Sequence, residues 1–444
     1  MGKNLDTHFF YAKIDTNKVR GQYMEYLNRL IEKEIELALK TSGVVVITGP
    51  KLCGKTETSK RFCKSSYSLE TKSKINLVQS NPDSILIGDN PRLIDEWQNV
   101  PDLWNCARSE IDRRDNKFGQ FIFTGSSTPA QKDDIYHTGS GRIVTLMMRP
   151  LSLYETGEST GKVSLNKLFD GEAVNLITNE NHKLQDIAFY ICRGGWPLTI
   201  GLEKDISLQI TENYYSTLFD FENSHNKKFR NKKPEIFRLI LRSYARNVST
   251  EARRKKIIED ISEHEDRNIS EDTFDDYIDA LKDLYIIKDI EAWNPNFRGK
   301  TSITTTPTRH FVDTSIAAGA LNIYPDDLIN DPETFGLLFE DFAVKELSIY
   351  ASTIKGEVRH YRDSNGLECD AVIHLKDGRY GLIEVKLGGE NLIKEGVSTL
   401  KSLSRKIEKS NKKKPSFKMI LTAVGDAYTT SDDIRVVPIN MLKN

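Results

Sequence analysis

Cysteine is scarce in this 444-residue chain: Cys53, Cys63, Cys106, Cys192 and Cys369 are all there are, and no two are spaced as CxxC. So small, odd and scattered a set excludes a disulfide framework or a Cys-rich zinc site, and it points to a reducing cytoplasm. The 8 histidines form no HExxH pair. Net charge is nearly absent, with 63 Lys+Arg against 64 Asp+Glu. That excludes a uniformly basic nucleic-acid binder and leaves room only for local patches. Long apolar runs are missing too. Val44–Ile47 and Ile85–Ile87 are far short of the ~18 residues a membrane span needs, so no membrane partner is expected. The N-terminal MGKNLDTHFF has no apolar secretory core, and Asp6 spoils a myristoylation signal. What is present is enough apolar material for real cores, 38% against 29% charged, which excludes a wholly disordered chain. At roughly 150 residues per domain the length implies about three domains.

The first 200 or so residues alternate short β-branched runs with longer polar segments of helix length. Gly43–Thr48 (GVVVIT) is continuous, apolar and followed at once by Gly and Pro, the pattern of a parallel strand buried on both faces. Ile85–Ile87, Leu93–Ile94 and Gln120–Thr124 predict further strands, and Tyr23–Leu39 predicts an amphipathic helix ahead of them. Strands separated by helix-length spacers predict βαβ units and a parallel sheet with helices on both faces. From about Asp205 helices and charge clusters take over. The basic Asn226–Lys233 predicts an exposed loop and Glu235–Tyr244 a helix; a stripe of Phe274, Ile278, Leu281 and Leu284 follows, then a strand-like Tyr285–Ile290. That order suits either a winged-helix module or a plain packed bundle. The last 110 or so residues predict a helix (Phe335–Tyr350), three strands (Val358–Arg362, Cys369–Leu375, Tyr380–Val385), a helix (Glu395–Lys406), the basic loop Lys409–Lys414 and a strand (Lys418–Thr422).

One motif carries direct chemical meaning. Gly49-Pro50-Lys51-Leu52-Cys53-Gly54-Lys55-Thr56 fits G-x-x-x-x-G-K-[ST], with a buried strand running in and a helix-competent segment, Glu57–Phe62, running out. The glycines let the chain curl so that successive N–H groups face phosphate oxygens, and the loop through Glu57 is the candidate nucleotide-binding segment. Lys55 would reach the β- and γ-phosphates, and the Thr56 hydroxyl would complete the coordination of Mg²⁺. Such a site needs a carboxylate at a neighbouring strand end. Asp95 is the candidate Mg²⁺ holder and Glu96 the residue that polarises the attacking water. Thr124 or Ser126, closing the next strand, would sense the γ-phosphate unless they only form a turn. Arg142 is either a charge-stabilising arginine, supplied across a subunit interface, or an ordinary ion-pair partner.

With PRLIDEWQ (Pro91–Gln98), FTGSS (Phe123–Ser127) and GR–MRPLSLYE (Gly141–Glu155) added, the chain resembles a widespread prokaryotic family of AAA+-type ATPases ending in a separate domain of unknown function. RGGWP (Arg193–Pro197), FVDTSIAAGAL (Phe311–Leu321) and GLLFEDFAVKEL (Gly336–Leu347) carry the resemblance through nearly the whole chain. It departs from the family at Pro50–Cys53, where backbone N–H groups rather than side chains matter. The resemblance implies an ATPase core, a winged-helix region around Pro234–Trp293 and a nuclease-like C-terminal fold.

In that last segment Glu384 and Lys386, two apart on one strand, share a face, and hairpin pairing would set Asp370 beside them. Two carboxylates converging on one side suit Mg²⁺, and a lysine there would position water. The set resembles the PD-(D/E)xK arrangement of restriction-endonuclease-like enzymes, and Glu340 matches that superfamily's further acidic residue. The basic stretches Arg253–Lys256 and Arg405–Lys414 are either phosphate contacts or solvated surface.

The expected architecture is thus α/β. An AAA+-like P-loop parallel sheet (residues 1–205) is followed by a helical, winged-helix-like region (206–330) and an α/β restriction-endonuclease-like domain (331–444). The expected function is an Mg²⁺-dependent ATPase in the cytoplasm whose cycle drives nucleic-acid-facing modules. ATP, DNA or RNA, and further copies of the chain are its expected partners. The alternatives are an ATP-regulated metal-dependent nuclease and a nucleotide-gated switch that recruits a protein.

Overall fold

The computed structural model describes residues 26–126, 141–178, 183–220, 232–295, 306–409 and 413–444. Ser127, most of the basic loop at 226–233 and the centre of the one at 409–414 lie outside the described residues, as does the start of the helix expected from Tyr23.

The buried run Val44–Thr48 forms β1, at the heart of a five-stranded sheet with β2 (Ser65–Ser68), β3 (Arg92–Asp95), β4 (Phe121–Gly125) and β5 (Ile143–Met147). Its order is β2-β3-β4-β1-β5 and every pairing is parallel. Alternate β1 residues serve two cores. Val44 and Val46 pack with Phe121, Phe123, Ile94 and the helix Leu103–Arg113. Val45 and Ile47 join a central cluster that draws residues from all three regions of the chain, down to Leu442. Continuous β-branched burial on both faces is what lets this strand read without alternation.

Three elements differ from expectation. Ile85–Ile87 is not a strand: Pro82–Leu86 is a 3₁₀ turn. Pro82 withholds an N–H, Ser84 folds back onto Asn81 O, and Ile85 and Leu86 are buried together while Ile87 is exposed. Among the described residues the first helix spans Glu32–Thr41, and the Glu32 carboxylate holds Arg29 N and Tyr26 Oη in the non-helical stretch ahead of it. Tyr285–Ile290 forms only isolated bridges, Ile287 with Phe311 and Ile290 with Thr308.

The middle region is helical: Pro234–Arg246, Arg254–Glu265, Glu271–Asp283 and Ser315–Leu321. The helices Leu184–Arg193 and Lys204–Thr217 pack against Ser315–Leu321, so the division drawn at 205 falls among helices that pack together. The C-terminal segment begins with the helix Pro332–Thr353. A short strand, β6 (Val163–Ser164), ties back to this end of the chain. The second sheet contains β7 (Gly356–Arg362), β8 (Glu368–Leu375), β9 (Tyr380–Lys386), β10 (Phe417–Thr422), β11 (Tyr428–Thr429) and β12 (Arg435–Pro438), with the helix Glu390–Lys409 between β9 and β10. The sheet is mixed, ordered β11-β12-β10-β9-β8-β7, and the expected helix–three strands–helix–strand order is the one observed. The terminal β13 (Leu442–Lys443) pairs in parallel with β6 and clasps the two ends together. Among the described residues no helix is long and apolar enough to cross a membrane.

Candidate functional site

The loop leaving β1 depends on glycine at two places. Gly49 has φ +150°, and a Cβ there would stand 2.0 Å from Met148 O; Gly54 has φ +99° and opens the helix Lys55–Lys60. Both are backbone settings that side chains disfavour. Pro50 and Cys53 are buried, the latter's thiol 3.6 Å from Met148 O, while Lys51 and Leu52 are exposed. Lys55 is itself buried, its Nζ donating to Gly49 O (3.0 Å) and Pro50 O (2.7 Å) across the loop. Glu57 is exposed and ion-paired with Lys60 at 2.7 Å, so its carboxylate stays out of the site.

Parallel pairing places β1, β3 and β4 with their C-terminal ends together. Thr56 Oγ1 stands 3.0 and 3.1 Å from the two oxygens of Asp95, and Thr124 Oγ1 donates to Asp95 Oδ1 as well. The expected trio is therefore one hydrogen-bonded unit: a carboxylate with two hydroxyls, the donor set for a hard cation beside phosphates. Glu96 follows in a left-handed conformation (φ +56°), its carboxylate accepting from Gln98 Nε2 and, at 3.2 Å, from Ser126 Oγ. Gln98 was not singled out from sequence. Gly125 leaves it room: a Cβ there would stand 2.6 Å from Gln98 Oε1.

Arg142 lies away from the loop of its own chain. It precedes β5, and its carbonyl accepts from Val44 N, which puts it at the opposite end of the sheet from the loop. Its guanidinium pairs with Asp112, as the ion-pair alternative has it.

In the C-terminal sheet the predicted residues converge. Lys386 Nζ lies 3.0 Å from Glu384 Oε2 and 3.6 Å from Asp370 Oδ2, and Asp370 Oδ2 accepts from Val385 N at 2.7 Å. Burial, then the Asp370 charge, pushes Glu384 up to about 8; Lys386 works against both. Glu340, on the helix Pro332–Thr353, is raised by burial first and by the Asp370 charge next. Lys386 is displaced upward because the Asp370 and Glu384 carboxylates outweigh its burial. Glu384 Oε1 is buried with no hydrogen-bond partner, an orphan acceptor that suits a cation. The expectation of a ready metal site needs correction all the same. Among the described residues no group of three His, Cys, Asp or Glu stands ready to hold a metal, and the Lys386 ammonium bridges the two carboxylates instead.

Part of the basic stretches is ion-paired. Arg254 pairs with Glu271 and Asp275, Lys255 with Glu259, and Lys406 with Asp363. The helix Glu271–Asp283, placed to enter a groove if the region is a winged helix, exposes Glu271, Asp272, Asp276 and Asp279. That face repels a phosphate backbone.

Comparison with known families divides the chain in three. Residues 41–157 match the family model of an AAA domain. That part of the chain is similar to AAA domains and has their phosphate loop on a parallel sheet. Residues 184–327 match a domain of unknown function (DUF8612), and residues 335–442 match another (DUF4143). A search of curated proteins gives no match. Among solved structures, the Walker-type ATPase PABY2304 of Pyrococcus abyssi is 16% identical over 68% of this chain and 97% of its own, with a TM-score of 0.42. A STAND protein with a tetratricopeptide repeat sensor, PH0952 of Pyrococcus horikoshii, is 12% identical over 75% of this chain and 50% of its own, with a TM-score of 0.26. The Aeropyrum pernix ORC1 protein in complex with DNA is 12% identical over 71% and 96%, with a TM-score of 0.28. These likenesses are loose; the assignment of the P-loop domain rests on the family match, the strand order and the loop.

Proposed function

We propose that this chain is an Mg²⁺-dependent ATPase whose nucleotide state is passed to its C-terminal α/β module, with nucleic acid as the class of molecule that module meets. The observation that carries the reading is the unit formed by Thr56, Asp95 and Thr124 against a loop whose lysine is held folded over it. Lys55 turns from the loop carbonyls to the β- and γ-phosphates when a triphosphate enters. Thr56 and Asp95 are the residues that would hold Mg²⁺, which supplies charge neutralisation between the phosphates when bound. Glu96, kept in place by Gln98 and Ser126, orients the attacking water and takes its proton. Nearly all of the catalysis is positioning and electrostatics.

The path outward is short. Leu153 N, beyond β5, donates to Glu346 Oε2 at 2.9 Å, and Glu346 pairs with Lys345 at 3.1 Å. Lys345 also stands 3.5 Å from Asp313, which accepts from Gly195 N. Apart from Leu153, in MRPLSLYE, these residues belong to the RGGWP, FVDTS and FEDFAVKEL segments. The helix bearing Lys345 and Glu346 also bears Glu340.

The assignment is tested by ATP binding and turnover. Lys55→Ala loses tight ATP binding, while Glu96→Gln binds and does not turn over. Equal hydrolysis by wild type and both variants sinks it. Nucleotide-dependent size in solution reads the self-association that goes with it.

A second reading, a metal-dependent nuclease restrained by nucleotide, is supported by the orphan Glu384 Oε1 among Asp370, Glu340 and Lys386. It requires Mg²⁺- or Mn²⁺-dependent cleavage of DNA or RNA that is lost in Asp370→Ala and Lys386→Ala. With no cleavage under any nucleotide condition the module is a binding fold.

A further inference from the structure

The helices of the middle region enclose a cavity of about 530 Å³, lined by no residue of the phosphate loop or of the Asp370 cluster. Its walls come from the helices Leu184–Arg193, Lys204–Thr217, Pro234–Arg246 and Ser315–Leu321, with the turn that follows the last. The inner wall is apolar. Cys192 and Ala318 are buried there, and Leu208 and Ile323 are half-buried beside them. Gly319 brings the backbone of its helix close against the Tyr215 ring, where a Cβ would stand 2.9 Å from Tyr215 Cγ. A space of that size, apolar inside with a few polar groups, has the character of a small-molecule site.

Two arginines line this space from one face of Pro234–Arg246, where Arg238 and Arg242 are one turn apart. Arg242 is committed: its Nε donates to Ala320 O at 3.3 Å, and its Nη1 meets Glu265 at 3.1 Å. Arg238 is not. Its Nη2 donates to Ser216 O at 3.1 Å, which fixes the guanidinium, and it has no carboxylate partner among the described residues. The Tyr215 hydroxyl likewise has no hydrogen-bond partner among them. Glu212, the acid of the lining, forms no ion pair with Arg238. Its Oε2 is held at the mouth instead, accepting from Tyr324 Oη at 3.0 Å and from Gln209 Nε2 at 3.3 Å. A guanidinium fixed by one carbonyl, with its other N–H groups unspent, is a ready-made partner for a carboxylate.

We infer that this cavity binds a small organic carboxylate, with its apolar body against Leu208, Tyr215 and Ala318 and its carboxylate on Arg238. The two features together select the ligand. An apolar interior disfavours sugars and polyphosphates, which would lose their water without replacement. The planar, always charged guanidinium then favours a carboxylate over an alcohol or an amine of the same shape. The inference is independent of the ATPase reading, since none of these residues touches the phosphate loop's hydrogen-bonded unit.

The test is calorimetric titration of the full chain, without nucleotide, by octanoate, octan-1-ol and octylammonium. These share one apolar chain and differ only in the charge of the head. Octanoate should bind about tenfold or more tighter than octan-1-ol, and octylammonium weakest of the three. Arg238→Met should bring octanoate down to the level of octan-1-ol while moving octan-1-ol by no more than about twofold, and Arg238→Lys should restore part of the preference. Arg113→Met, which removes the same charge from the exposed end of Leu103–Arg113, should leave all three affinities as they were. No octanoate binding at millimolar concentration, no preference for octanoate in wild type, or a preference that survives Arg238→Met overturns the inference. So does a parallel fall of octanoate and octan-1-ol in Arg238→Met, which would reduce the arginine to a prop of the cavity wall.

Discussion

Arg29 Nε meets Glu155 Oε1 at 3.0 Å with both side chains almost wholly out of solvent, 5% and 2% exposed. Every polar atom of the pair is used. Arg29 also donates to Cys53 O and Arg149 O, and Glu155 also accepts from Leu30 N, Ser152 N and Ser152 Oγ, each at 2.8 Å. One ion pair thus joins the chain ahead of the sheet, the phosphate loop and the segment after β5. Glu155→Gln leaves the guanidinium buried and unmatched, which should cost about 3 kcal/mol or more. Arg29→Lys keeps the charge and cannot reach both carbonyls, so its main effect should be weaker nucleotide binding. Urea unfolding and nucleotide titration separate the two. Variants indistinguishable from wild type in both would mean the pair is incidental.

Thr124 offers a cleaner probe of the catalytic unit than Asp95 itself. Thr124→Val keeps the shape of a fully buried side chain and removes the hydroxyl that donates to Asp95. The carboxylate then relies on Thr56 alone. Expected is a fall in kcat of about tenfold or more with KM little changed, and a stability loss of about 1–3 kcal/mol. A KM effect without a kcat effect would place Thr124 in ground-state binding instead.

Glu340, Asp370 and Glu384 crowd like charges against one lysine, and one oxygen of Glu384 has no partner. Neutralising one member should relieve the crowding. Glu384→Gln is expected to melt a few degrees above wild type near pH 8 without metal. Millimolar Mn²⁺ should raise the melting temperature of wild type and leave that of the variant where it was. A variant less stable than wild type would make Glu384 an essential partner of Lys386, and the cluster a structural ion pair.

The candidate nucleotide site was legible because its chemistry is local. Eight consecutive residues set the loop, and Asp95-Glu96 ends a strand only about 40 residues on, so spacing and strand pattern were enough. The Glu384–Lys386 pair was legible for the same reason. Ser65–Ser68 was not read as a strand, because SSYS has neither branching nor alternation and is held at the sheet edge by β3 alone. Ile85–Ile87 has the composition of a strand, but Pro82 had already turned the chain.

His360 makes the joint between the middle region and the second sheet sensitive to acid. Its backbone carries that joint, His360 N donating to Glu291 O and His360 O accepting from Trp293 N. The ring is 4% exposed, with Nε2 3.0 Å from Thr306 O. Burial presses the imidazole down to about 4; the Thr306 carbonyl works the other way, and the charges of His310 and Arg362 add to the depression. Glu251 stands 3.8 Å from Nδ1 but is itself raised by burial, so it gives a protonated ring little relief. A histidine whose folded value lies below its unfolded one of about 6.5 contributes stability that is complete above that pH and is lost as pH falls towards 4, at most about 3 kcal/mol. His360→Asn cannot titrate. It should be less stable than wild type by about 1 kcal/mol at neutral pH, for the weakened bond to Thr306, and should close or reverse that gap by pH of about 4.5. Unfolding free energies at the two pH values decide it: parallel losses in both proteins would assign the acid sensitivity to other groups.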